Sequence, residues 1–510
     1  MISSRTLRLT SVAIAALVAM PLAAVLLIAA GVGAPAPAGG EGAWAHLVET
    51  GLAGYAGNSL LLLVLVALGT GAVGIGAAWL TALCEFPGRT WLQAALVLPL
   101  ALPGYVIAYA YTDFLQFAGP VQAALRDLAG VDGAGWKAAG YWFPEVRSLP
   151  GAALMFTLVL YPYVYLPVRA AFAAGGASLT EAARTLGMGP WQAFVRVALP
   201  LARPAIAGGS ALALMETLAD YGAVSHFAVD TFTAGIYKAW FGLGDKGAAA
   251  RLACLLLLFT LGLASIERAG RGRARFAPGG TSRSGRIAFR FAGVGGVLAL
   301  LAAALPVLFG FVLPVLILAR LAWHEVDGVE WMRFAGLAVN SLKVGLLAAL
   351  TALVAALIIA YAARGGRGMG VVARIAGFGY AVPGAVIAVG LLVPLAGFDN
   401  WLDGWMRARF GIHTGLLVTG SMAALVFAYV VRFLAVALGN VESGLARVTP
   451  SMDDAARAMG LDAGAALLRV HAPLIARSLV IAALLVFVDS LKELPATLAV
   501  RPFNFDTLAT

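Results

Sequence analysis

Apolar runs of about twenty residues alternate with short polar islands along the whole chain. The runs fall near 10–31, 58–83, 91–112, 150–172, 205–226 and 248–266, then near 290–319, 340–363, 371–397, 414–438 and 474–500. They are continuous rather than alternating, so they predict helices and not strands. Each is long enough to cross a hydrocarbon core of about 30 Å. Only helices or closed barrels satisfy the backbone in lipid, so the chain reads as an all-α polytopic membrane protein with eleven spans. Composition agrees: 61% of the 510 residues are hydrophobic and 12% charged, with a mean hydropathy of +0.91.

Charge sets the orientation. The formal net charge is +10, and the basic residues gather in particular loops as the positive-inside rule requires, so no nucleic-acid partner is expected. Arg268-Ala-Gly-Arg-Gly-Arg-Ala-Arg275 and the Pro/Gly/Ser stretch after it mark a cytoplasmic linker, 267–289, between halves 1–266 and 290–510. A cytoplasmic N-terminus puts this linker inside, after six spans. Loops 32–57, 113–149, 227–247 and 398–413 then fall outside and carry Trp136, Trp142, Trp240, Trp401 and Trp405, residues suited to an interface. Arg5 and Arg8 before the first run, with Ala34-Pro-Ala-Pro-Ala38 after it, resemble a signal peptide. A signal core is about 7–15 residues, so this longer run reads as an uncleaved span.

The two halves repeat. Glu181-Ala-Ala-Arg-Thr-Leu-Gly187, running on to Pro200, matches Asp454-Ala-Ala-Arg-Ala-Met-Gly460, running on to Pro473, at a constant offset of 273 residues. Each island follows the fourth span of its half, which places both inside. An acid at the start of a short helix is favoured by about 0.3–1 kcal/mol, and the Gly is placed to break or bend it. Asn58-Ser-Leu60 pairs with Asn340-Ser-Leu342, Leu102-Pro-Gly104 with Val382-Pro-Gly384, and Asp230-Thr-Phe-Thr-Ala234 with Asp506-Thr-Leu-Ala-Thr510. An even number of spans per unit makes the repeat parallel. In the first half a further span follows Ala234, so the repeat predicts a twelfth span beyond Thr510.

The islands resemble the EAA loops of bacterial ABC-importer permeases, the cytoplasmic elements that dock on the ATPase subunit. The resemblance implies a type I ABC importer transmembrane fold of two tandem parallel six-helix repeats, the last helix missing here. The EAA-loop cores would lie at about 55–266 and from about 338. The coupling residues carried over are Glu181, Ala182, Ala183, Gly187, Pro200, Asp454, Ala455, Ala456, Gly460 and Pro473. Asp454 stands for the usual Glu and Ala472 for the Leu before Pro473, which bears on how tightly that island docks. Met215-Glu-Thr-Leu-Ala-Asp-Tyr-Gly222, Lys492-Glu-Leu-Pro-Ala-Thr497 and Arg501-Pro-Phe-Asn-Phe-Asp-Thr507 are similar to fused iron(III) permeases. That family implies ferric iron as cargo, a periplasmic iron-binding protein, an ATPase dimer holding ATP-Mg, a bacterial inner-membrane location and no cofactor in this chain. Fused permeases for thiamine and 2-aminoethylphosphonate look similar overall.

Four acids lie within spans. Glu216 and Asp220 match Asp489 and Glu493 at the same offset of 273, with Lys492 beside the second pair. Spacing i,i+4 puts each pair on one helix face. Ionisable groups in a membrane face a cavity or a partner, so these acids are either a cation path near a pseudo-two-fold axis or an interhelical bonding set. A proton relay in an ion-driven secondary transporter is the alternative from another class. Tyr105, Tyr109, Tyr111, Tyr161, Tyr163 and Tyr165 read as an interfacial aromatic belt rather than iron ligands. Gly69-Thr-Gly-Ala-Val-Gly74 lies within an apolar span with no strand before it, so it reads as a helix-packing surface and not a dinucleotide site. The sequence holds no GxxxxGK[ST], no HExxH, no GxSxG and no paired-Cys spacing, so the chain is not expected to be itself the ATPase, nor a membrane-embedded transferase or protease.

Overall fold

The computed structural model describes residues 4–32, 43–128, 142–176, 182–183, 185–271, 289–365 and 368–510. The basic linker lies mostly outside them. Among the described residues, eight helices are long and apolar enough to cross a membrane, and three bent pairs bring the number to eleven. The all-α polytopic expectation holds.

The breaks follow the chemistry of proline. A residue before Pro is pushed out of the α region, and Leu102 and Val382 are extended, at φ −97°, ψ 137° and φ −94°, ψ 120°. Pro103 and Pro383 then cap the helices Gly104–Leu115 and Gly384–Phe410. The third expected span is accordingly two helices, Arg89–Ala101 and Gly104–Leu128, bent by 89°. The ninth divides at Pro383 after the short helix Met369–Ala376. The stretch read as an outer loop, 398–413, is largely helical, since Gly384–Phe410 continues to a left-handed Gly411. Asp399 accepts the N–H groups of Val418 and Thr419, and Asp403 those of Thr414 and Gly415, which fixes the turn beyond.

The chain packs as two compact units that do not follow sequence order. One comprises 48–234 and 259–328. Its centre is the crossing of the helices Leu52–Leu83 and Leu149–Ala171. A Cβ on Gly69 would lie 2.2 Å from Thr157 Oγ1, and one on Gly74 would lie 2.9 Å from the Tyr161 carbonyl. The glycine run is thus the packing surface its setting implied. Strand Cys84–Glu85 pairs in parallel with Phe289–Arg290, closed by an Arg290–Glu85 contact of 3.0 Å. Three of the six tyrosines read as an interfacial belt depart from that expectation. Tyr111, Tyr161 and Tyr165 are buried in protein; Tyr111 donates to the Phe309 carbonyl and Tyr165 to that of Gln93. A polar hydroxyl on a large ring serves the interior when a carbonyl is within reach.

The other unit comprises 1–47, 235–258 and 329–510. Here the first helix, Ser4–Ala29, packs on segments from the far end of the sequence. Ser11 donates to Leu7 and to Ile358, 347 residues away. A Cβ on Gly390 would lie 2.1 Å from the Pro21 carbonyl, so only glycine allows that approach.

Candidate functional site

The second island is a short helix with a defined stop, and the described residues of the first share its features. In the first, Ala182 and Ala183 are helical, and Glu181 lies outside the described residues. Gly187 adopts φ +87°, a left-handed conformation that glycine reaches without strain. Met188 N–H reaches back to the Ala183 carbonyl at 3.1 Å. The second island is the helix Pro450–Ala458. Gly460 sits at φ +74°, its N–H bonds to Arg457 O, and Leu461 N–H bonds to Ala456 O. These bonds form a Schellman stop, and the bond from Met188 is its counterpart. Ala183 and Ala456 face inward and are buried, while Ala182, Ala455 and Asp454 are exposed. At the matched next positions stand Leu186 and Met459, large apolar side chains 82% and 69% exposed.

The second island has an anchor that the repeat did not announce. Arg364 donates to the carbonyls of Leu445 and Val448 and meets Asp453 Oδ2 at 2.7 Å. His471, fully buried, places Nε2 3.0 Å from Asp453 Oδ1 without the alignment of a hydrogen bond. The positions 273 earlier than Asp453 and His471 are Thr180 and Ala198, neither of which carries an ionisable side chain, so the sequence does not repeat this anchor.

Beyond each island the chain winds as a π turn, Phe194–Ala198 and Leu467–His471. Pro200 and Pro473 explain it: neither has an N–H for the carbonyl four residues before, on Arg196 and Arg469. The following segments then bend by 68° and 82° before Arg203–Ala219 and Ala476–Lys492.

The four intramembrane acids divide into two kinds. Glu216 and Asp489 lie on helices and are partly exposed, Asp489 with Lys492 Nζ at 3.6 Å. Asp220 and Glu493 are the residues at which Arg203–Ala219 and Ala476–Lys492 end. Asp220 N–H still bonds to the Glu216 carbonyl at 3.1 Å, and the chain turns away only after it. Each carboxylate starts the next turn: Asp220 Oδ1 accepts Ala223 N–H at 2.7 Å, and Glu493 Oε1 accepts Ala496 N–H at 3.1 Å. Satisfying freed N–H groups is what an acid at a helix start does. Glu493 also pairs with Arg432 at 3.1 Å in the interior. The position matching Arg432 is Val159, buried and apolar. Among the described residues, no three His, Cys, Asp or Glu converge as a metal site would need.

The Asn-Ser repeat has a matched role. Asn58 Nδ2 donates to the Asp230 carbonyl at 3.0 Å, and Ser59 Oγ accepts Phe232 N–H. Asn340 Nδ2 donates to the Asp506 carbonyl at 3.1 Å, and Ser341 Oγ accepts Leu508 N–H. Each pair ties the segment after the broken span to the second helix of its half.

Matched surface helices, matched broken spans and matched ties define a membrane transport component built on an internal repeat. The family model described as binding-protein-dependent transport system inner membrane component matches residues 2–269, and the chain belongs to that family. It is a multi-pass inner-membrane protein. The molybdenum transport system permease protein ModB of Escherichia coli K12 is 32% identical over 214 residues, covering 39% of this chain and 88% of that protein. The Fe(3+)-transport system permease protein FbpB 2 of Haemophilus influenzae is 24% identical over 465 residues, covering 89% of this chain and 82% of that one. The sulfate transport system permease protein CysT of Escherichia coli K12 is 32% identical over 166 residues, covering 32% of this chain and 55% of that protein.

Proposed function

We propose that the chain is the permease of a ferric-iron importer. A periplasmic binding protein hands over the ion, and a separate ATPase dimer, holding ATP-Mg, docks on the two surface helices and drives the cycle. The observation that carries the cargo is extent. Of the three relatives named above, the Fe(3+) permease aligns along 89% of this chain, against 39% and 32% for the molybdenum and sulfate permeases. Site chemistry supports it, since carboxylate oxygens are hard donors suited to a hard cation.

In this reading 1–266 and 290–510 are the two permease halves, and the N-terminus, the linker and both islands are cytoplasmic. Glu181, Ala182, Ala183, Gly187 and Pro200, with Asp454, Ala455, Ala456, Gly460 and Pro473, shape the docks. Leu186 and Met459 are the side chains that enter the ATPase. Glu216 and Asp489 meet the ion, while Asp220 and Glu493 hold the breaks open around it.

A second reading is an oxyanion permease. The higher identity to the molybdenum and sulfate permeases favours it, and Arg432 and Lys492 are the cations an oxyanion would meet. Proteoliposomes containing the chain, its ATPase and its binding protein decide between them, offered radiolabelled iron, molybdate or sulfate. ATP-dependent iron accumulation without a proton gradient is the expected result. Accumulation of an oxyanion instead overturns the cargo, and uptake driven by a proton gradient without ATP overturns the class.

A further inference from the structure

Two cavities lie one below the other along a single seam between the helices Ser4–Ala29 and Trp331–Gly365. The upper one, about 400 Å³, has charged side chains in its wall. Arg8, Tyr361, Arg364, Asp453, Arg457 and Asp462 line it, together with apolar residues. The lower one, about 470 Å³, is apolar, and its walls include Leu17, Val18, Val354, Ile358, Phe427 and Val430. Both helices carry the seam downward in step. On the first, Arg8 at the upper cavity is followed by Ile14 and Leu17 at the lower; on the second, Tyr361 is followed in reverse order by Ile358 and Val354. At 1.5 Å rise per residue the two cavities are about one to two turns apart.

We propose that this seam is a binding site for one anionic phospholipid, its phosphate in the upper cavity and an acyl chain in the lower. The charge is complementary. Three arginines face two carboxylates, and both carboxylates are already engaged: Asp453 by Arg364 at 2.7 Å, Asp462 by the N–H of Ala465 at 2.7 Å. Arg457 meets Asp454 only as an exposed pair, 72% and 69% open, of the kind worth little in water. Its guanidinium can therefore turn to a phosphate at small cost. Arg5 stands three residues before Arg8, on the same side of the helix. A basic pocket opening between transmembrane helices at a membrane face is the chemistry that holds anionic lipid headgroups. The apolar groove directly below distinguishes a lipid from free phosphate. Val354 and Leu17 are 57% and 55% exposed there and would be covered by an acyl chain.

The site has a consequence for transport that rests on the function proposed above. Arg457, Leu461 and Asp462 belong to the second island and its exit, and Arg364 is its anchor. A lipid seated there braces the surface helix from below, so anionic lipid should raise ATP hydrolysis stimulated by the loaded binding protein.

The binding test uses the chain alone, so its outcome is independent of that reading. Native mass spectrometry of the purified protein, offered phosphatidylglycerol or phosphatidylcholine, counts retained lipid. Preferential retention of one phosphatidylglycerol is expected. The double variant Arg8→Gln, Arg457→Gln should weaken it about 5-fold for each arginine. Val354→Trp, or Leu17→Trp should the first misfold, fills the groove and should release the lipid with every arginine in place. Equal retention of the two lipids, or wild-type retention in the arginine or groove variants, overturns the proposal. So does displacement by inorganic phosphate that the groove variant leaves unchanged, which would mark a soluble-anion site. Retained lipid with no effect on ATPase stimulation would leave the lipid site standing and count against the islands as the coupling element.

Discussion

Arg432 Nε lies 3.1 Å from Glu493 Oε2, inside the protein, where the helix Ala476–Lys492 stops. The pair closes on the Pro-Gly start of the ninth span. A Cβ on Gly384 would come within 2.4 Å of Glu493 Oε1, whereas one on Gly104, the matched residue, stays 3.7 Å from Asp220 Oδ2. Gly384→Ala should therefore lower the melting temperature by several degrees and Gly104→Ala should leave it near wild type. Arg432→Ala strands a buried carboxylate and should cost about 3–5 kcal/mol. Thermal unfolding in detergent reads all three; equal behaviour of the two glycine variants would show that the halves are not asymmetric here.

The Asn-Ser ties should be worth the same in each half. Asn58→Ala and Asn340→Ala each remove one hydrogen bond to a carbonyl, and each should cost about 1 kcal/mol. Hydrogen exchange should quicken locally, around 230–234 in the first variant and 506–510 in the second. Loss of protection throughout the chain in either variant would contradict a local tie.

Gly187 and Gly460 occupy left-handed conformations with open space around them. A side chain there meets backbone strain and no clash, at about 1 kcal/mol. Gly187→Glu or Gly460→Glu should leave the membrane protein folded, loosen the ATPase in copurification and abolish import. Normal ATPase retention with normal transport in both variants would remove the islands from the coupling role.

Glu216→Gln combined with Asp489→Asn neutralises one acid in each half and spares the acids that start the next turns. If these two meet the ion, iron import should fall strongly, while stimulation of the ATPase by the loaded binding protein largely survives. Unchanged import in a well-folded double variant ends the path assignment. A lower melting point with normal transport per folded molecule assigns the acids to packing.

Local signals made much of this legible in the chain. The eleven apolar runs fall, among the described residues, on eight span-length helices and three bent pairs, because lipid imposes length and helicity together. The island glycines and the Pro-Gly pairs marked real stops, since φ and N–H chemistry act locally. What escaped notice needed partners distant in sequence. Arg364 is an ordinary inside arginine until Asp453 and two helix-end carbonyls surround it. Asp220 and Glu493 sat at helical spacing from Glu216 and Asp489, and periodicity could not reveal that the helix ends one residue earlier. Tyr161 and Tyr165 looked interfacial because amphipathic rings usually are, while their burial depends on a neighbouring helix.

Ser11 and Ile358 impose an order on biogenesis. The helix that bears Ser11 is made before the backbone it meets, which follows 347 residues later. At about 5–20 residues per second the ribosome needs roughly 17–70 s to supply that partner. For that interval the first helix must reside in lipid or beside the insertion machinery with Gly390's docking surface not yet synthesised. Its exposed leucines make that wait tolerable, and this part of the unit assembles only once the segments bearing Ile358 and Gly390 have been made.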